Sequence, residues 1–336
     1  MIINKEAAWK FLRDIEKDEK IAIVFHDDAD GMASGIFINN FVRKIGGDVE
    51  IFPFSISKTE ITHEDLSDFD KIVILDLSEN IAGKIINASG DKKVLYIDHH
   101  VKKQEFDEGV LELIAPSAIP VARTSYEFVS HFDSNLEWLA VAAVICDAGD
   151  LSKENDDFIN DFLKREKITL EDYKKKYAYK LGDFLIYFKE DLKKAFEILL
   201  EVRYLGDFSE IEKYAGPVEE EIEKIAKDFD KNHEEIGSIK FYLFESKFAI
   251  KSALINKISF ANPDWIIVFA NPDEDIIKLS ARNQSRKMNM IELLRTGIAG
   301  LKNADAGGHI PAAGGAIRVQ DLELFKENLR KFIEKK

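Results

Sequence analysis

The chain has 336 residues, of which 46% are hydrophobic and 32% are charged, and its net charge is −15. This length predicts two domains, since one core usually serves about 100–200 residues. The composition excludes a membrane-spanning protein, because no apolar run approaches the roughly 20 residues that cross a bilayer. The acidity argues against a surface that coats nucleic acid through clustered lysine and arginine, but not against one local pocket for a short nucleotide.

The N-terminal segment and the cysteine content indicate the cellular environment. Residues 1–17 alternate charged and apolar side chains and lack the continuous apolar core of a signal peptide, so we expect a cytoplasmic protein. Cys146 is the single cysteine, and it lies in the apolar stretch LAVAAVIC. This position predicts a buried, unreactive thiol.

The first half of the chain alternates short apolar runs with amphipathic stretches, which predicts alternating strands and helices. Near-continuous runs of Val, Ile and Leu are typical of parallel strands that helices cover on both faces. A predicted apolar helix then ends directly before Asp147. The predicted strands are 21–25, 49–54, 71–75 and 92–97, and the predicted helices are 34–44, 79–88 and 138–146.

At about residue 150 the sequence changes from alternating apolar strands and helices to charged helical sequence. Charged helical sequence predicts a connector over 151–215, which ends at the Tyr-Ala-Gly-Pro segment 214–217. Further strands are predicted at 240–245, 265–271 and 276–281, with helices at 217–229, 288–297 and 322–334. We therefore expect an α/β fold with three parts: a parallel-sheet domain over 1–150, the helical connector, and a smaller α/β domain over 216–336.

Polar residues follow three of the predicted strands directly. The carboxyl ends of parallel strands meet at one crevice, where ligands bind in such sheets. A single acidic loop would be interpreted as a helix cap or a solvated turn. Here, however, carboxylates end three apolar runs and one apolar helix, and such crowding is unfavourable unless a cation sits among them. The residues concerned are His26, Asp28, Asp30, Asp76, Asp98, His99, His100 and Asp147.

Five segments resemble the signatures of one family, in the same order along the chain. They are HDDADG at 26–31, LDLS at 75–78, DHH at 98–100, CDAGD at 146–150 and DAGGHIPAAG at 305–314. The first four resemble the DHH phosphoesterases, which take their name from the tripeptide Asp98-His99-His100. The fifth is similar to the GGGHxxAAG signature of the DHH-associated domain.

The resemblance implies a role for each of these residues. His26 and Asp28 would bind one metal ion, while Asp30, His99 and Asp147 would bind a second, and Asp76 would bridge the two. His100 would face the phosphate, and Asp98 would orient a histidine rather than bind metal. The ions implied are two Mn²⁺, with Mg²⁺ or Co²⁺ as substitutes.

The chain departs from the family pattern at two positions. Many members place the first histidine farther ahead of the two aspartates, so His26 is either a ligand or a neighbour that only hydrogen-bonds, and Asp27 is a competing candidate for the ligand. The first glycine of the C-terminal signature is Ala306, whose Cβ changes how closely the backbone approaches a phosphate.

Substrate contacts are expected from the C-terminal half. Gly307, Gly308 and His309 are interpreted as a loop whose backbone N–H groups and imidazole hold a phosphate. Arg282 follows a predicted strand and offers a bidentate fork, and the resemblance favours it over Arg286 and Arg295. The segment Arg123-Thr124-Ser125 is a further candidate. The remaining histidines, His63, His131 and His233, are expected at the surface.

The function implied is a metal-dependent phosphodiesterase that hydrolyses single-stranded DNA, RNA or short oligonucleotides from an end, similar to RecJ-like exonucleases and oligoribonucleases. Inorganic pyrophosphatases share the DHH half but have a different C-terminal domain, so the GGHIPAAGG segment argues against them. A close alternative is hydrolysis of phosphoadenosine phosphate or cyclic dinucleotides. An alternative of another class is an inactive scaffold in a replication or repair complex, and a homodimer is also considered.

Overall fold

The computed structural model describes residues 4–56, 59–101, 106, 109–131 and 133–334 of the chain. It divides into two compact units, Met1–Gly216 and Pro217–Lys336. The separation of the first unit into a domain and a connector at residue 150 stays a prediction. No helix in the described part of the chain is long and apolar enough to cross a membrane.

The first unit is built on a five-stranded sheet in the order β2-β1-β3-β4-β5. All four pairs of neighbouring strands are parallel, as the apolar runs predict. The fifth strand was not predicted, because its short sequence VLELI carries a charge at its centre. The strands are β1 (Lys20–His26), β2 (Asp48–Phe54), β3 (Lys71–Leu75), β4 (Lys93–Asp98) and β5 (Val110–Ile114).

Helices cover both faces of this sheet. Alternate residues of β1 enter different cores: Ile23 and Phe25 belong to the larger cluster and Val24 to the smaller one. Both faces of the strand are therefore apolar, as expected for a doubly covered sheet. The helices are α1 (Lys5–Arg13), α2 (Ala29–Ile45), α3 (His63–Leu66), α4 (Glu79–Ser89), α5 (Val121–Val129), α6 (Glu137–Cys146), α7 (Asp156–Glu166), α8 (Leu170–Tyr173), α9 (Tyr179–Tyr187), α10 (Leu192–Glu201) and α11 (Ser209–Asn232).

Two predictions about this unit are wrong. Helix α2 begins at Ala29 rather than at residue 34, so Asp30 and Gly31 are helical and do not lie in a loop. The segment 214–217 is not a linker, because Pro217 lies inside the continuous helix α11. Glycine and proline suggested a break, but the burial of Ala215 and Val218 keeps the segment helical.

The second unit contains a six-stranded sheet in the order β10-β11-β9-β8-β7-β6. Only the pair β7 and β8 is parallel. The glycine-rich segment predicted as a loop instead forms the edge strand β10, which pairs with β11. The elements are β6 (Glu234–Ile236), β7 (Ile239–Leu243), α12 (Lys251–Ala261), β8 (Ile266–Asp273), β9 (Ile276–Arg282), α13 (Met290–Gly297), β10 (Asp305–His309), β11 (Ala312–Arg318) and α14 (Leu322–Ile333). The overall class, an α/β fold with a parallel N-terminal sheet, is confirmed.

Candidate metal centre

The end of β1 and the start of α2 bring three polar side chains together. His26 is the last residue of the strand, and Asp28 is the N-cap of the helix, where its Oδ1 accepts the N–H of Gly31 at 3.0 Å. Aspartate is a favoured N-cap because its oxygen satisfies a free helical N–H. Asp30 follows in the first helical turn. The helix thus begins directly at the edge of the sheet where ligands bind.

Asp30 is buried against the start of another helix. Its Oδ2 accepts the N–H of Val121 at 2.8 Å, and its Oδ1 accepts the N–H of Ala122 at 2.6 Å. These N–H groups belong to the first turn of α5, where the N-cap Pro120 has no side chain to cap them. The helix dipole favours a negative charge at this place. This second role of Asp30 had no signal in the sequence, since α5 lies 91 residues away.

Asp76 directly follows β3 and has the left-handed φ of 54°. Aspartate is among the residues that tolerate this conformation best. The Oδ2 of Asp76 lies 3.6 Å from His26 Nδ1, and its Oδ1 lies 3.6 Å from His99 Nε2. The two oxygens of one buried carboxylate therefore face two different histidines.

His99 has a defined orientation. Its Nδ1 lies 3.2 Å from the carbonyl oxygen of Ser117, and a carbonyl can only accept, so Nδ1 carries the hydrogen. The free Nε2 then faces three carboxylates, at 3.6 Å from Asp76, 3.7 Å from Asp147 and 3.9 Å from Asp30. This is the tautomer that a metal-binding imidazole requires.

His26 lies closer to Asp28 than to its other neighbour in the motif. Its Nδ1 is 2.8 Å from Asp28 Oδ2, whereas its Nε2 is 3.6 Å from Asp27 Oδ1. Asp27 also forms a salt bridge with Lys189. That pairing gives Asp27 a protein cation of its own, so it is the weaker of the two ligand candidates left open by the sequence.

His100 points its ring at Asp98. The Nδ1 of His100 lies 2.8 Å from Asp98 Oδ1, and the other oxygen of Asp98 lies 2.6 Å from the hydroxyl of Tyr96. The side chain of His100 is 48% exposed, which leaves its Nε2 side accessible to a ligand. Hydrogen bonding to Asp98 raises the pKa of His100. Tyr96 was not singled out from the sequence.

The potential ligand atoms form three overlapping groups. In each group the atoms lie within 4.8 Å of one another, a spacing that one ion can span. These are His26 with Asp28 and Asp76, Asp30 with His99 and Asp147, and Asp76 with His99 and His100. The structure thus brings together all six residues implied as ligands, while their roles stay predictions.

The charges in this cluster are poorly compensated by protein groups. Desolvation raises the pKa of Asp76 to about 7, and it also raises the pKa of Asp30, with further repulsion from Asp76 and Asp28. The pKa of Asp147 is raised for the same reason. Among the described residues, no lysine or arginine forms an ion pair with these three carboxylates or with Asp28. Nitrogen and carboxylate donors in such an arrangement fit divalent cations such as Mn²⁺.

Two predictions about single residues need correction. Cys146 is exposed rather than buried, because it ends α6 beside the site. Its thiol donates to the carbonyl of Ala178 at 3.1 Å, and desolvation raises its pKa, which favours the low reactivity expected from the sequence. His233 is not a surface residue, since only 15% of its side chain is exposed and it contacts Glu235. His63 and His131 are exposed, as predicted.

In the second unit, the register places two of the predicted substrate residues on one face of the sheet. His309 pairs with Ala312, and Ala312 pairs with Arg282 on the next strand. Directly paired residues point to the same face, so the two side chains are separated by the small Ala312. Gly308 has a φ of 132°, and a Cβ there would lie 2.5 Å from the oxygen of Ala312, so this position requires glycine.

A lysine that the sequence did not single out lies near Arg282. Lys251 begins α12 and donates to the carbonyl of Leu279 at 3.1 Å. Desolvation, with repulsion from Lys278 and Arg282, lowers the pKa of Lys251 to about 8. Arg282 itself donates to Asn256 Oδ1 at 3.0 Å and forms no ion pair with a described carboxylate. Half-buried cations of this kind favour an anionic ligand.

The third predicted group of substrate contacts is the segment 123–125, and its side chains already contact other residues of the first unit. Arg123 donates to Asn155 Oδ1 at 2.7 Å and lies over the ring of Phe158. Thr124 and Ser125 are buried. Because these side chains face the interior of the first unit, this segment is a weaker candidate for substrate contact than Arg282.

Two family models match the chain. The model described as the DHH family, N-terminal domain, matches residues 20–161, and the model of the DHHA1 domain matches residues 246–335. The chain belongs to the DHH superfamily. Its matched N-terminal part contains every residue of the three ligand groups, and its DHHA1 part contains Lys251, Arg282 and His309.

Solved structures share this DHH-family fold at low sequence identity. An exonuclease RecJ bound to manganese is 15% identical with a TM-score of 0.74, and the match covers 100% of this chain and 96% of that one. RecJ from Thermus thermophilus in complex with Mn²⁺ is 14% identical with a TM-score of 0.70, over 100% of this chain and 55% of that one.

A pGpG-specific phosphodiesterase from a Vibrio species is 11% identical with a TM-score of 0.50, over 95% of this chain and 99% of that one. A comparison with curated proteins found no match. The likenesses establish a DHH-family phosphoesterase fold. They leave the substrate to be inferred from the residues of this chain.

Proposed function

We propose that the protein is a divalent-metal-dependent phosphodiesterase that hydrolyses single-stranded nucleic acid or short oligonucleotides from an end. The observation that carries the proposal is the position of Asp76. Its two oxygens face two separate groups of ligand atoms, and such a bridging carboxylate is what a two-metal site requires. Among the described residues, no lysine or arginine forms an ion pair with Asp28, Asp30, Asp76 or Asp147.

The proposed assignment of ligands comes from the resemblance to the DHH phosphoesterases, and the three groups are compatible with it. His26 and Asp28 would hold one ion, Asp30, His99 and Asp147 would hold the other, and Asp76 would contribute to both. We propose Mn²⁺ as the ion because mixed imidazole and carboxylate ligands suit it, with Mg²⁺ or Co²⁺ as substitutes. When bound, two such ions neutralise phosphoryl oxygens and lower the pKa of water.

The chain's own groups orient the substrate. Asp98 holds the Nδ1 proton of His100, so the Nε2 of His100 is directed at a phosphate oxygen. Ser117 fixes His99 in the tautomer that faces the carboxylates. Asp98 thus acts through His100 and does not itself touch the substrate.

The proposed phosphate contacts of the DHHA1 domain are Arg282, Lys251, His309 and the backbone of Gly307 and Gly308. Arg282 and His309 lie on one face of the sheet, and a Cβ at Gly307 would meet nothing within 4 Å, so its backbone is open to a ligand. The guanidinium group of Arg282, the ammonium group of Lys251 and the imidazole of His309 together suit a ligand with more than one negative charge. A nucleotide chain or a small nucleotide satisfies this condition.

A second candidate substrate is a small nucleotide, such as phosphoadenosine phosphate or a dinucleotide. The likeness to a pGpG-specific phosphodiesterase favours keeping it beside the exonuclease proposal. Both candidates use the same metal ligands and differ only in the length of chain that the protein accepts. An inactive scaffold is disfavoured, because all six proposed ligands are present in three compact groups.

A substrate series with Mn²⁺ tests the proposal. We expect single-stranded oligonucleotides of decreasing length to be shortened from one end, and activity to disappear with EDTA and return with Mn²⁺. The measurement is gel or chromatographic separation of end-labelled products. Turnover of phosphoadenosine phosphate or dinucleotides alone would exclude the exonuclease. Mn²⁺ binding without hydrolysis of any nucleotide would support the scaffold.

The substitution Arg282→Met tests the proposed substrate contacts. We expect KM to rise about 10-fold or more with little change in kcat, because a hydrogen bond to a charged group contributes roughly 1.5–3 kcal/mol. Arg295→Met is the matched control, since Arg295 is exposed on α13 and was the less favoured arginine. Equal KM values for the two variants would remove Arg282 from the substrate site.

A further inference from the structure

Tyr96 is a buried polar residue on β4 whose single hydroxyl hydrogen has two acceptors within reach at the site. Its hydroxyl lies 2.6 Å from Asp98 Oδ2 and 2.7 Å from the carbonyl oxygen of Leu77. Residues two apart on a strand point to the same face, which brings the phenol under the carboxylate of Asp98. The side chain is completely buried.

The packing of the sheet does not explain the hydroxyl. In the adjacent strands, Tyr96 is in register with Ile74 of β3 and with Glu112 of β5. Ile74 is aliphatic and the ring of Tyr96 packs edge-on against Phe106, with centroids 5.5 Å apart, while the hydroxyl is directed at Leu77 and Asp98. A phenylalanine would fill the same space without the cost of burying a polar group.

We infer that Tyr96 is a positioning residue, whose hydroxyl fixes Asp98 and, through Asp98, the ring of His100. The inference rests on the proposed function, in which His100 faces the phosphate. The connection is continuous: the Tyr96 hydroxyl contacts one oxygen of Asp98, and the other oxygen of Asp98 lies 2.8 Å from His100 Nδ1. With one oxygen held, the carboxylate cannot rotate away from the imidazole.

The same hydroxyl also joins two strand ends. Leu77 follows Asp76, whose φ of 54° sets the turn at the end of β3. The Tyr96 hydroxyl therefore contacts two groups: the backbone carbonyl of Leu77, one residue after Asp76, and the carboxylate of Asp98, which orients His100. Desolvation and the nearby Asp98 raise the pKa of Tyr96, so the phenol keeps the hydrogen that it donates.

The test is Tyr96→Phe, which removes only the hydroxyl. We expect kcat to fall about 10- to 100-fold, as for other groups that orient a ligand, while KM changes little. Tyr173→Phe is the matched control, because Tyr173 is also fully buried and donates to a carbonyl, that of Trp138, at 2.5 Å. A residue needed only for packing would give the same result at both positions.

An NMR measurement of the His100 tautomer, which does not depend on hydrolysis, accompanies the kinetics. In metal-free protein labelled with ¹⁵N-histidine, the His100 signals are identified with a His100→Asn variant. We expect wild type and Tyr173→Phe to show one tautomer with hydrogen on Nδ1, and Tyr96→Phe to show a mixture. Asp98→Asn should change the same signals, which supplies a second variant if Tyr96→Phe does not fold.

The outcomes separate the two proposals. If wild type hydrolyses oligonucleotides and Tyr96→Phe matches it in both kcat and the His100 spectrum, the positioning role is wrong. An unchanged His100 spectrum in Asp98→Asn would overturn it as well. If wild type hydrolyses no nucleotide, the proposed function fails, while the spectra still decide whether Tyr96 and Asp98 orient His100.

Discussion

Asp76→Asn is expected to lower the hydrolytic rate by roughly 10³-fold or more, since even a group that only orients a metal ligand contributes about 10- to 100-fold. The reason is that the two oxygens of Asp76 face two different histidines, His26 and His99. An amide offers one carbonyl oxygen and no charge, so it cannot serve two ions. Asparagine also tolerates the left-handed φ of 54°, so the backbone is preserved.

The same variant should have the opposite effect on the metal-free protein. Desolvation raises the pKa of Asp76 from 3.8 to about 7. The folded state therefore binds a proton more tightly than the unfolded chain, and stability falls as the pH rises between these two values. The neutral asparagine avoids this loss. In EDTA above pH 7, Asp76→Asn should unfold at a higher temperature than wild type.

Mn²⁺ should reverse that order. A ligand at 100 times its dissociation constant stabilises the folded state by about 2.7 kcal/mol, and the variant should gain much less. Thermal melts with EDTA and with Mn²⁺, together with calorimetric titration of the ion, measure both effects. Asp91→Asn is the control, because Asp91 is exposed in the turn before β4. If Asp76→Asn binds Mn²⁺ and hydrolyses substrate like this control, Asp76 is not the bridging ligand.

Gly31→Ala is expected to weaken both folding and metal binding. A Cβ at position 31 would lie 2.3 Å from the carbonyl oxygen of His26 and 2.7 Å from its nitrogen. Both are backbone atoms of β1 and cannot rotate aside, so the strand end has to shift. Such overpacking costs about 1–3 kcal/mol. Groups that only orient a metal ligand contribute about 10- to 100-fold to metal affinity, so a shift of His26 itself should lower Mn²⁺ affinity by about 10-fold or more.

Gly182→Ala is the matched substitution for this comparison. Gly182 lies inside α9, and a Cβ there would meet nothing within 4 Å. We expect it to stabilise the protein by about 0.4–1 kcal/mol, because alanine reduces the freedom of the unfolded chain. Urea unfolding and Mn²⁺ titration of both variants provide the measurement. A Gly31→Ala protein as stable as Gly182→Ala, with unchanged Mn²⁺ affinity, would show that the strand end adapts.

The sequence predicted the parallel sheet and the meeting of its strand ends well, because both depend on local patterns. The strand 71–75 was predicted at its observed bounds, and the helix 138–146 begins one residue earlier than predicted. Apolar runs and a parallel arrangement suffice to place Asp76 and Asp98 at one edge. The ligand groups and the family resemblance could therefore be proposed before any geometry was known.

Other features depend on contacts between distant residues. Asp30 was expected in a loop, but it is helical and binds the start of α5, and nothing near residue 30 indicates this partner. The segment 305–309 was expected as a loop because of its glycines, but pairing with β11 makes it a strand. Lys251 and Tyr96 become candidates only when burial and partners are known.

Asp30 is a proposed metal ligand and also caps the start of α5, and this has a consequence for how the site changes over evolutionary time. Its carboxylate accepts the two free N–H groups at the start of α5, so the fold needs this residue even if no ion is bound. Asp147 is 37% exposed and ends a helix, and its loss would cost the fold little. In a descendant of this protein that no longer hydrolyses a substrate, we expect Asp30 to be conserved and Asp147 to be replaced more freely. Retention of Asp30 alone is thus a poor marker of an active enzyme, whereas retention of Asp147 is a good one.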